Sequence, residues 1–171
     1  MLRIGVLTVV LIVNFALRST IFPYIETLGV TPNTDLIIIV SYGILRGDVE
    51  GAILGFFAGL LHDIYFNSYI GLYALISMLI GFFCGKPFKD FFRENYFLPL
   101  SLVAISSLVY QFVLYVINFF FRVNLDFPFY FRTIILPASV YTIILTVPIY
   151  SLLYGINNKL EAYEKNKRNL F

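Results

Sequence analysis

Apolar residues fill six long stretches of this chain, and polar residues gather in the short breaks between them. The stretches run at about 4–22, 33–46, 49–64, 69–85, 97–121 and 133–155. A helix needs about 20 apolar residues to cross a bilayer, within a range of roughly 17–25. Lipid offers the backbone no hydrogen bonds, so an apolar stretch at membrane depth must be helical. The first follows Arg3, has an uninterrupted apolar core from Val9 to Val13, and resembles a signal-peptide core. Because five more stretches follow, it reads as a retained first span. The second and third are short, so they must tilt, thin the bilayer or be shielded by neighbouring helices.

The breaks carry their own signals. Thr31, Asn33, Thr34 and Asp35, with Pro32 alongside, predict a helix start. A turn is expected near Arg46–Glu50. In KPFKDFFRENY, residues 86–96, the charges Lys86, Lys89, Asp90, Arg93 and Glu94 share one helical face and Phe88, Phe91, Phe92 and Tyr96 the other. That pattern predicts a short amphipathic helix lying in the interface. DFPFYFR, at 126–132, reads as an aromatic interfacial loop. Pro137 and Pro148 predict a kink or broken turn in the last span. Residues 156–171 read as a polar, basic cytoplasmic tail.

Small and polar residues recur at helical spacing inside the apolar stretches. Glycine falls at 43, 47, 51, 55 and 59, and Asp63 continues the series. Positions four apart stack on one helix face. Small residues at this spacing let two backbones approach closely, and such packing drives association in lipid. Gly51, Gly55, Gly59, Asp63, Gly71 and Gly81 are therefore candidates for helix packing, within the chain or against a partner. Ala74, Ser77, Gly81 and Gly85 form a small-residue face on the fourth span. On the fifth, Ser107, Gln111, Tyr115 and Asn118 form a polar stripe, which should face protein or a cavity rather than lipid. Asn14 and Arg18 share a face of the first span. Arg18 either snorkels to the interface or pairs with an acid, Asp35 or Asp63.

Composition fixes the class. The 171 residues are 60% hydrophobic, 19% aromatic and 13% charged, against about a quarter charged in a soluble domain. The expectation is an all-α integral membrane protein, a compact six-helix transmembrane bundle. The net charge of +2 gives no sign of a nucleic-acid partner. Of the 12 lysines and arginines, six spans would put nine on the side of both termini and three on the other. The positive-inside rule then places both termini in the cytoplasm and Asp35, His62 and Asp63 towards the outer face. Cys84 is the single cysteine, which excludes an intrachain disulfide.

Little in the chain points to catalysis, a cofactor or a metal. His62 is the only histidine, too few for a histidine-rich metal site. Ser68 and Ser77 lack a nucleophile motif, and no phosphate-binding glycine loop follows a strand. Asp35 and Asp63 as an intramembrane aspartyl pair is a weak reading. Asp63 has three open roles: capping the reversal before the fourth span by accepting backbone N–H bonds, pairing with Arg18, or contacting a partner.

The stretch GFFAGLLHDIYFNSYIGLYALISMLIGFFCG, residues 55–85, resembles the core pattern of the rod shape-determining protein MreD family. Gly55, Gly59, Leu60 and Asp63 match its G-x-x-x-G-L-x-x-D segment. Ile70, Gly71, Leu72, Ala74, Leu75 and Gly81 match the L-G-x-x-A-L segment and the helix after it. Pro32 to Ile37 resemble the family's proline–aspartate helix start, with two residues inserted, and Arg18 departs from the uncharged residue expected there. The resemblance implies a non-enzymatic, multi-pass subunit in the bacterial cytoplasmic membrane. It implies association with the single-span protein MreC and, through it, with a RodA-type glycosyltransferase, a class B penicillin-binding protein and MreB filaments. The alternative is a small substrate-binding subunit similar to the S-components of energy-coupling factor transporters, whose architecture the bundle could share. The first helix lacks the alanine-x-x-x-alanine docking face of that family, and the chain has no tryptophan.

Overall fold

The computed structural model describes residues 2–20, 30–66, 71–86, 97–121 and 126–168. Its elements are α1 (Leu2–Thr20), α2 (Thr34–Arg46), α3 (Asp48–Phe66), α4 (Leu72–Gly85), α5 (Phe97–Phe121), α6 (Phe127–Tyr130), a π-helical turn (Phe131–Ile135) and α7 (Leu136–Arg168). The last three run on without a break, so the described residues form six continuous helical segments. Two are long and apolar enough by themselves to cross a membrane, Phe97–Ile117 and Phe127–Tyr163.

The centre of the fold is α2. Asn33 caps it, its side-chain oxygen accepting from the Leu36 amide at 3.2 Å. Gly47 ends it at φ 105°, a left-handed conformation that glycine adopts without strain, and the Gly47 amide donates to the Gly43 carbonyl. Eleven of its 13 residues are buried. One apolar cluster joins Ile37, Val40 and Ile44 to Ile80, Val103 and Tyr110. A second joins Ile39, Tyr42 and Leu45 to Leu54, Tyr150 and Leu153. Protein therefore shields this short helix on all sides. By contrast α1 touches the rest of the bundle least.

Two expectations need revision. Residues 127–130 of the expected aromatic loop are helical, and the π turn follows directly. There the Leu136 amide donates to the Phe131 carbonyl, one residue beyond α-helical reach. Pro137 comes next. It has no N–H to carry the α register and its ring crowds the preceding turn, so the widened turn accommodates it. Pro148 lies inside α7 without breaking it. Beyond residue 155, α7 continues to Arg168, and its Glu161 binds Arg46 of α2 at 3.3 Å. Residues 87–96 of the expected interfacial helix, and Ile70, lie outside the described residues.

Candidate functional site

The tightest contact in the molecule is the seam between α3 and α4. A Cβ added at Gly51 would stand 2.7 Å from the Gly81 carbonyl oxygen, and one at Gly59 would stand 2.5 Å from the Ala74 Cα. One at Gly55 would collide with the Ser77 carbonyl, and one at Gly81 with that of Gly51. Gly85 packs in the same way on Gly47 and Asp48, and Gly43 of α2 joins the seam against Gly81. These glycines hold the chain's own helices backbone to backbone, which leaves their face closed to a second protein. Gly71 is different: nothing lies within 4 Å of where its Cβ would be. It is not a packing residue; its φ of 107° makes the turn into α4.

Asp63 closes that turn. Its carboxylate is fully buried and accepts from the amides of Gly71 at 2.8 Å, Tyr73 at 3.3 Å and Ala74 at 3.1 Å. Those are first-turn amides of α4, which have no intrahelical acceptor, and a carboxylate there also meets the positive end of the helix dipole.

Beside it lies a polar cluster assembled from three helices. Asp35 of α2 receives Asn14 and Arg18 of α1 on its two oxygens. His62 of α3 sets its Nδ1 3.6 Å from the same carboxylate and stacks on Tyr73 at 4.5 Å. Tyr73 in turn meets Tyr110 of α5 edge-on. Thr142 of α7 accepts from the Asn33 amide at 3.1 Å and donates its own hydroxyl to the Ala138 carbonyl at 2.6 Å. Arg18 thus pairs with Asp35, while the Asp63 oxygens serve the α4 amides.

A second polar group ties the opposite end. Arg46 grips Glu50 with Nε and Nη2, at 3.2 and 3.4 Å, and reaches Glu161 with Nη1. Tyr42 donates to Glu50 at 2.9 Å, and Asn157 to Glu161 at 3.1 Å. Two carboxylates share one guanidinium. This group was missed in the sequence, because Arg46 and Glu161 are 115 positions apart. Only the Arg46–Glu50 spacing of four gave a hint.

The expected stripe on α5 divides. Ser107 is buried and bonds Ser139 of α7 at 3.2 Å. Gln111 is half-buried, and Tyr115 sits in an aromatic nest with Phe119, Phe127 and Tyr130. The Asn118 side chain lies outside the described residues. Ser107 and Tyr115 thus tie α5 to the last helical segment.

A cleft of about 680 Å³ separates α1 from α3. Leu7, Leu11 and Ile12 form one wall and Ile53, Phe57 and Leu61 the other, and Tyr42 and Glu50 stand at one end. At the other end the helices meet where Phe15 packs edge-on against Tyr65, 4.9 Å between ring centres. Among the described residues no three His, Cys, Asp or Glu side chains come together as a metal site would require.

An all-helical bundle with lipid-type glycine packing, two membrane-length apolar helices and an apolar cleft defines a helical membrane protein. A family comparison makes this specific: the model of the rod shape-determining protein MreD matches residues 1–156, and the chain belongs to that family. No curated protein and no solved structure matches the chain.

Proposed function

We propose that this chain is a non-enzymatic scaffold of the bacterial cell-elongation complex that builds peptidoglycan. Its role in rod-shape determination follows from its family. In this reading it crosses the cytoplasmic membrane six times, with both termini inside, and packs on a single-span MreC-like protein. Through that partner it connects to a RodA-type glycosyltransferase, a class B penicillin-binding protein and MreB filaments.

One observation supports a scaffold over a substrate-binding transport subunit. Among the described residues the charged groups Arg18, Asp35, Arg46, Asp63 and Glu161 are spent on one another, on Glu50 and on a helix start, and most of the cleft lining is apolar. A vitamin-binding S-component needs polar groups converging on a cavity. Pull-down of the tagged protein from its native membranes in gentle detergent, read by mass spectrometry, tests the proposal. Recovery of a single-span MreC-like protein with wall synthases is expected. Recovery of an ATP-driven energising module or a bound vitamin would overturn it.

A further inference from the structure

One carboxylate oxygen of Asp35 has two basic neighbours on two different helices. Arg18 of α1 donates to Oδ2, and His62 of α3 sets its Nδ1 3.6 Å from that same atom. Asn14 of α1 donates to the other oxygen. The three ionisable groups meet at one end of the bundle. Arg18 is in the last turn of α1, Asp35 in the first turn of α2, and His62 four residues before the end of α3. Their side chains are 15%, 19% and 9% exposed, so the cluster is largely withdrawn from water yet still reached by it. These contacts matter most to α1, which touches the bundle least. Apolar contact gives a helix little hold in lipid, so the polar cluster carries its attachment.

The sign of the coupling follows from charge. Arg18 is the one charge that α1 brings to this end, and it is a cation. A proton on His62 would put a second cation at the oxygen that Arg18 already holds, and like charges repel strongly in a site withdrawn from water. The other facing groups act alike whether α1 is docked or not. Asp63 of α3 stays on the α4 amides. Tyr73 of α4 stacks on His62 and meets Tyr110 of α5, and Thr142 of α7 binds the Asn33 amide; none of these is charged near neutral pH. Docking of α1 and protonation of His62 therefore oppose each other, and the opposition is reciprocal. Histidine changes charge between about pH 5 and 8. We propose that His62 is a proton-operated latch on α1: its imidazolium replaces the Arg18 guanidinium as counter-ion of Asp35, and the Arg18 end of α1 comes away from the bundle. The proposal does not depend on any protein partner.

Distances between spin labels on α1 and α7 test it. Val13→Cys and Ile144→Cys place the labels on exposed positions, in the full-length chain with Cys84→Ser, reconstituted in lipid nanodiscs. Pulsed electron resonance then reads the distance distribution from about pH 8 to about pH 5. One docked distance is expected at the upper end. The ratio of docked to released α1 should fall roughly tenfold towards the lower end, along a one-proton curve. His62→Gln, or His62→Asn should the first not fold, should keep the docked distance throughout. A distribution that does not change with pH overturns the latch. A shift that persists without the histidine assigns the proton to another group and overturns the role of His62. An α1 held more closely in acid overturns the sign.

Discussion

Helix α3 meets the bundle in two opposite ways. On one face Gly51, Gly55 and Gly59 bring its backbone against α4 with no room for a methyl group. Ile53, Phe57 and Leu61 point the other way, and there α1 stands off across a cleft of about 680 Å³. In water the bulky face would make the stronger contact, because it has more area to bury. In lipid that drive is lost and close packing decides, so the face without side chains binds and the face with large ones does not. What fixes α1 is polar instead: Asn14 and Arg18 on Asp35.

The contrast can be broken most forcefully at the seam. Gly55→Leu should abolish recovery of folded, monodisperse protein from membranes, because its side chain must enter the Ser77 backbone. Native yield in detergent, read by fluorescence-detected gel filtration, is the measurement. Asp35→Ala should come next, at about 3 kcal/mol, since it leaves the Arg18 guanidinium uncompensated in a mostly buried site. The double variant Arg18→Ala/Asp35→Ala should recover part of the loss, and thermal unfolding in detergent reads both. Asp63→Ala should cost about 2 kcal/mol by stranding amides at the start of α4, and more than His62→Ala does. Matching melting temperatures for those two would remove the cap from the account. On the opposite face, Phe57→Ala should stay within about 0.5 kcal/mol of the native protein in detergent, as an exposed position does.

The seam was legible in the sequence because its cause is local: a spacing of four, and residues with no side chain. The turn at Gly47 and the helix start at Asn33 were legible for the same reason. Two other features depend on residues far apart. Ser107 looked like one member of a stripe, but its partner, Ser139, is set by how α5 meets α7. Pro137 signalled a break, and the π turn that absorbs it depends on tertiary support that a sequence pattern does not carry. The cleft left no trace at all, since an apolar residue facing a gap looks like one facing a neighbour.

The shortness of α2 bears on how it fits a membrane. Thirteen residues rise about 20 Å, less than the hydrocarbon core of roughly 30 Å. A helix this short matches a bilayer only where the membrane thins around it or where neighbours supply the surface it lacks. Those neighbours are α3, one glycine behind, and α4, which locks onto α3. The most buried helix of the bundle therefore takes its surroundings from segments that lie after it in the sequence.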